Sequence, residues 1–154
     1  MAIRNTSGKS EINSYFMKVR QRVDQAIFLR LSKLGEELVT YAKLIPASVG
    51  YTDRTGNLRA STGYIVSMKG SVIKESFAEV QGEVEGSLTG AKYATSIAAA
   101  YPDTNVLIVV AGMEYALAVE SRGRDVLTST LHIAEKKLPI ELRKLKEAIK
   151  TMKV

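Results

Sequence analysis

Residues 10–46 read SEINSYFMKVRQRVDQAIFLRLSKLGEELVTYAKLIP. Apolar side chains recur at Ile12, Phe16, Val19, Val23, Ile27, Leu31, Leu34, Leu38, Ala42 and Ile45. Every step is three or four residues, the spacing that puts all of them on one face of an α-helix. Ser10 stands where an N-cap is expected. Pro46 ends the run, because proline lacks an amide hydrogen and disfavours helical geometry in the residue before it. At 1.5 Å per residue the helix is about 50 Å long. A chain of 154 residues folds into a body nearer to about 35–40 Å across by the usual size scaling. Part of the helix must therefore project or pack on a neighbouring subunit.

The segments that follow are shorter and change period. Residues 46–57, PASVGYTDRTGN, have the Gly, Ser, Thr, Asp and Asn content of a loop. A short LRAS turn leads to a strand at 64–68, and Lys69-Gly70-Ser71 forms a hairpin turn. Within 72–85, Ala78, Val80, Gly82 and Val84 alternate with Glu79, Gln81, Glu83 and Glu85, which predicts a strand with one polar face, closed by Gly86. Residues 88–101 fit an alanine-rich helix stopped before Pro102, and 106–112 a buried β-branched strand. Residues 115–120 suit either a strand or one helical turn, with the strand reading burying Tyr115 and Val119. Asp125 is placed to cap a second long helix, whose stripe is Leu127, Leu131, Ala134, Leu138, Leu142, Leu145, Ile149 and Met152. Pro139 predicts a kink in it or a two-part form. The expected architecture is α+β: a long N-terminal helix and a C-terminal helix packed on a small, mainly antiparallel sheet, with one short extra helix. The whole chain, 1–154, reads as a single domain whose residues 1–9 are polar and flexible.

Composition narrows the chemistry. The chain has no cysteine, which removes disulfide frameworks, thiolate metal sites and cysteine nucleophiles. Its N-terminus has no apolar core of the secretory kind, so no leader is expected. No apolar run approaches the length of a membrane span. The one histidine, His132, sits between Leu131 and Ile133 in the second long helix, where a surface role outweighs a catalytic one. Glu79, Glu83 and Glu85 line one predicted strand face, more simply as a solvated face than as a metal site. Ser7-Gly8-Lys9-Ser10 contains GKS, but a phosphate loop needs a glycine at position 3, which is isoleucine. No enzyme and no cofactor is expected.

Charge is blocky. Residues 1–60 carry ten Lys/Arg against five Asp/Glu, 61–135 five against nine, and 136–154 seven against two. Basic ends around an acidic middle suit head-to-tail packing of identical subunits, or simply two helices with solvated basic faces. Lys18, Arg20, Arg22, Arg30 and Lys33 on the first helix could neutralise phosphates. So could Lys136, Lys137, Arg143, Lys144, Lys146 and Lys150 on the last. With no tryptophan and no stacking motif, such binding would be sequence-independent.

Two further stretches carry a resemblance when taken in order. One is Thr55-Gly56-Asn57-Leu58-Arg59-Ala60-Ser61, after the first helix. The other is Tyr115-Ala116-Leu117-Ala118-Val119-Glu120-Ser121-Arg122-Gly123, before Asp125 and the last helix. Their order and spacing, with a hairpin between, resemble the tail-completion or head–tail joining proteins of tailed bacteriophages, also described as minor tail components. The resemblance runs from about residue 12 to residue 152. It implies a non-enzymatic subunit of a homo-oligomeric ring in the virion neck, assembled in the host cytoplasm. Its partners would be portal-side connector and tail-tube proteins, with non-specific DNA contact in the lumen and no membrane. Gly56 and Gly123 are then expected at turns needing positive φ or close backbone approach. Leu58, Tyr115 and Val119 are expected in the core. Arg59, Glu120, Arg122 and Arg124 are the candidate interface contacts, with a local ion pair as the competing role for Glu120. The alternative function is sequence-independent nucleic-acid binding by the two basic helices.

Overall fold

A computed structural model describes residues 8–78 and 84–152. Helix α1 spans Lys9–Leu44, and a loop leads to the single turn α2, Asn57–Ala60. Strands β1 (Thr62–Met68) and β2 (Ser71–Ser76) form the expected hairpin. Helix α3 (Val84–Ala98), strand β3 (Val106–Ala111), the short helix α4 (Ala116–Ser121) and helix α5 (Thr128–Lys150) complete the chain. The sheet is antiparallel in the order β2-β1-β3. This is the expected α+β architecture, with α1 and α3 on opposite faces of the sheet.

Strand β1 is the centre of the molecule. Every residue from Thr62 to Ser67 is buried, because helices cover both sheet faces and each side-chain direction meets one. Tyr64 and Val66 pack with Val39 of α1, and Phe28, Leu31, Leu107 and Val109 close around them. Ile65 points the other way, into Ala94 and Ala98 of α3 and Ile108 and Val110 of β3. Gly35 sits in the interior of α1, where glycine weakens a helix by about 1 kcal/mol relative to alanine. Its role is clearance: a Cβ there would lie 2.5 Å from the Tyr64 ring.

The hairpin loop is Lys69-Gly70, with φ of 51° and 82°. Positive φ at both central residues is the type I′ geometry, whose twist matches that of the paired strands. Thr104 accepts the Lys69 amide hydrogen, and the Lys69 ammonium reaches Asp24 of α1 at 2.9 Å.

Several boundaries differ from expectation. Ser10 is not the N-cap: Gly8 takes that position in an extended conformation, and its carbonyl accepts from Glu11 and Ile12. Of the strand expected across 72–85, β2 ends at Ser76, residues 79–83 lie outside the described residues, and Val84 to Gly86 open α3. The alternation misleads because small residues, not large ones, mark the buried face here. Gly86, Gly90, Ala94 and Ala98 recur every four residues and are buried. A Cβ on Gly86 would lie 2.3 Å from the Asn57 carbonyl oxygen, and one on Gly90 2.4 Å from that of Ser61. Close approach to α2 and β1 thus overrides the low helix propensity of glycine. Finally, α5 runs as one helix through Pro139 rather than in two parts, the proline lying on an exposed position.

Candidate functional site

The two motif stretches meet in space. Leu58 of α2 packs with Ala116 of α4, Tyr51 of the preceding loop and Val126, and Val119 closes on the same cluster. Hydrogen bonds reinforce the junction from both sides. Asp53 accepts the amide hydrogens of Gly56 at 3.0 Å and Arg59 at 2.8 Å, which fixes the turn into α2. Gly56 has φ 82° there, a left-handed value that glycine adopts without a steric penalty. The Asn57 side chain accepts from the Gly86 amide at the start of α3. Ser61 accepts twice, its carbonyl from Gly112 and its hydroxyl from Met113. The first motif is therefore a bracket that holds the starts of α3 and α4 to the first strand.

The second motif holds the start of α5. The segment forms the helix Ala116–Ser121 with Tyr115 as its N-cap and is not extended, so Ala116 and Val119 turn inward while Tyr115 stays 42% exposed and Leu117 79%. The expected burial of Tyr115 does not occur, because helical spacing replaces the two-residue alternation of a strand. Glu120 points from α4 into the first turn of α5. Its carboxylate accepts the amide hydrogens of Leu127 at 3.1 Å and Thr128 at 2.9 Å, and the Thr128 hydroxyl as well. Those amides are among the first four of a helix, which have no partner within it. Asp125 adds a bond to the Ser129 amide at 3.2 Å. The N-cap position is Leu127 and not Asp125 as expected; Asp125 still supplies one carboxylate to the first turn, and Glu120, which position did not mark, supplies the other.

The remaining candidate residues divide. Arg59 lies over the Tyr51 ring at 5.8 Å and is partly covered, an arrangement internal to the subunit. Burial raises the Tyr51 phenol above its usual range and the nearby Asp53 adds to it, while Arg59 and Thr62 oppose the shift. Arg124 donates to the Ser48 carbonyl at 3.4 Å, and the Asp125 amide donates to Val49. Gly123 has φ 75° with nothing close to where a Cβ would stand, so backbone conformation alone calls for glycine. Arg122 is exposed at the end of α4. Of the four proposed contacts, Arg59, Glu120 and Arg124 are engaged within the fold, and Arg122 is left facing outward.

The basic helices are likewise tied into the subunit. Arg30 meets Glu141 at 2.9 Å, and Lys144 meets the same carboxylate at 2.7 Å. Lys137 pairs with Glu37, Lys33 lies near Glu37, and Lys150 pairs with Glu147. Lys144 first and then Arg30 hold the Glu141 carboxyl below its usual range. Two of these pairs, Arg30–Glu141 and Lys137–Glu37, cross between the antiparallel helices α1 and α5; the others lie within one helix. Lys18, Arg20, Lys136, Arg143 and Lys146 remain as exposed cations. His132 is exposed beside Glu135. Among the described residues no group of three or more His, Asp or Glu converges to hold a metal, and no helix is long and apolar enough to cross a membrane.

What sequence reasoning missed is an open apolar cleft. Its walls are α5 and the outer edge of β3, its floor is Leu31, Leu34 and Leu38 of α1, and Leu117 of α4 stands at its mouth. The volume is about 760 Å³, and a smaller space of about 180 Å³ continues along α1 and α5. Only Thr130 of α5 is buried, and Leu131, Leu138 and Leu142 of its stripe are each more than 40% exposed. The stripe was plain in the sequence, but a stripe does not say whether its own chain covers it. Comparison of the chain with protein-family models, with curated proteins and with solved structures finds no match in any of the three.

Proposed function

We propose that this chain is a structural subunit of a tailed-phage neck, a ring-forming tail-completion protein that acts by assembly and not by catalysis. One observation carries the reading. Helix α1 outruns the body it packs on: at 36 residues it is about 54 Å long, and every residue from 9 to 18 is exposed. Ile12, Tyr15, Phe16 and Met17 are large apolar members of that projecting segment. A monomer that leaves both this stripe and the apolar wall of α5 in water has too much uncovered apolar surface to be its own final state. The two motifs that suggested the family support it in a second way, since they build the bracket and the cap that hold α5 in place.

In this reading the copies form a closed ring between the portal-side connector and the tail tube, assembled in the host cytoplasm and carried in the virion. The exposed cations at Lys18, Arg20, Arg143 and Lys146 then supply mild, sequence-independent attraction for DNA in the lumen. A chain working mainly as a nucleic-acid binder has less behind it, because Arg30, Lys137, Lys144 and Lys150 are already paired with carboxylates of the same subunit. Negative-stain electron microscopy with light scattering tests the choice. Closed rings whose stability changes little with salt support the neck reading. A stable monomer that binds DNA tightly and loses it steeply with salt removes it.

A further inference from the structure

The two uncovered apolar features of this chain fit each other. We infer that the projecting segment of α1 docks, as a helix, in the cleft between α5 and β3 of a second copy. This rests on the assembly reading above and names the contact that would carry it.

The projecting segment has the form that helix-in-groove recognition uses. Its anchors Ile12 and Phe16 are exposed, and the stripe continues into the half-covered Val19 and Val23 at steps of four, three and four. They span about 17 Å along the helix, and the α5 wall from Leu127 to Leu142 spans about 22 Å. The cleft is lined mainly by leucine and valine side chains, with Asn105, Glu120, Thr128 and Thr130 as its polar members, and it has the volume to take several large side chains. Two buried polar atoms inside it, Asn105 Oδ1 and Thr130 Oγ1, have no hydrogen-bond partner among the described residues. A buried carbonyl oxygen without a donor is costly, and the arm carries polar groups beside its anchors at Asn13 and Tyr15, on the two flanks of the stripe.

The occupant must come from another molecule. Phe16 and the cleft-floor residue Leu34 are on one unbroken helix, eighteen residues or about 27 Å apart, so an arm cannot fold into its own cleft. A small apolar ligand would fill the cleft and leave the arm in water, whereas a second copy covers both surfaces with one contact. Arm and cleft are different patches, so the contact is heterologous: each copy gives an arm to one neighbour and accepts one from the other. Such a chain closes into a ring when the rotation per subunit divides a full turn.

A labelled peptide of residues 9–26, titrated into the full-length protein, reads the contact directly. Leu131→Glu in the protein, or Phe16→Glu in the peptide, should weaken binding at least tenfold, whereas Lys92→Glu on α3 should leave it unchanged. Both altered residues are exposed in the subunit, and circular dichroism confirms that each variant folds. Mixing full-length Phe16→Glu with full-length Leu131→Glu should give a dimer, since one competent arm and one competent cleft remain. A peptide that does not bind, or binds Leu131→Glu equally well, overturns the proposal. So does native mass spectrometry showing an apolar small molecule in the cleft that the peptide cannot displace. Rings that survive both full-length substitutions also overturn it, while leaving the assembly reading intact. Peptide binding by a chain that itself stays monomeric supports the contact and counts against the ring alone.

Discussion

At Gly35 two effects pull in opposite directions. Alanine is the better helix former by about 1 kcal/mol, so helix propensity alone says that Gly35→Ala stabilises. The Tyr64 ring decides otherwise: it is fully buried, it stands 2.5 Å from the added Cβ, and it has nowhere to move. Overpacking of this kind costs about 1–3 kcal/mol, so chemical denaturation should show a net loss. Gly123→Ala makes the useful comparison, since no neighbour stands near its Cβ. There only the left-handed backbone opposes the change, at about 1–2 kcal/mol, and a Gly123→Asn variant should recover part of the loss. Glu120 shows why single residues of the second motif resist a sequence reading. Its partners, the amides of Leu127 and Thr128, are seven and eight residues away and become reachable only after α4 turns back on α5. Arg59, Glu120 and Arg124 all look like surface charges in a linear reading. Each has a partner within its own subunit.

Among the elements, α5 depends most on a few polar contacts. Its described packing is mainly on α1, and its first turn hangs on Glu120 and Asp125. Glu120→Ala should cost about 0.5–2 kcal/mol, the range for a lost cap. Hydrogen exchange should then quicken first at residues 127–131, before β1 is affected. Two carboxylates should make the fold sensitive to acid. Lys74 and then Tyr64 hold the Glu36 carboxyl below the usual value of 4.5, and Lys144 and Arg30 do the same for Glu141. A carboxyl whose value is depressed by folding stabilises the native state above its unfolded value, and that contribution fades as pH falls through the folded value. Thermal stability should therefore drop as pH falls below about 4.5. Glu36→Gln and Glu141→Gln should lower the plateau near neutral pH and flatten the drop.

The long helices and the hairpin were readable because their signals are local and strong. These were an unbroken three-and-four stripe from Ile12 to Ile45, a glycine turn at Lys69-Gly70, and a β-branched run at 106–112. The start of α3 was not, because its buried face is made of Gly86 and Gly90, whose function is to let Asn57 and Ser61 come close. Periodicity of large side chains is silent about such a face. The 115–120 segment was ambiguous for a related reason: six residues are too few for either period to declare itself.

At the scale of the whole molecule, the stripe on α1 and the stripe on α5 are each clear in the sequence, yet only a folded chain shows that neither is fully covered. The same helix that anchors the sheet through Val39, Phe28 and Leu31 carries an exposed apolar arm at its other end. An open cleft lies where α5 stands off the sheet. In the proposed assembly a second copy covers both features, and the acidic middle between basic ends suits the same head-to-tail contact. Removing the arm's anchor with Phe16→Glu should abolish assembly while leaving the melting transition of the subunit within about 0.5 kcal/mol of the parent, the usual scale for exposed substitutions.

Because the chain contains no cysteine, the contact can be trapped without background. A double variant carrying Phe16→Cys and Leu131→Cys, oxidised at low protein concentration, provides the most direct measurement. If the arm of each copy lies in the cleft of the next, non-reducing electrophoresis shows a ladder of covalent oligomers that stops at the ring size. Each single variant then gives no more than a dimer. A double variant that stays monomeric, or yields only the dimers its single parents yield, contradicts the account.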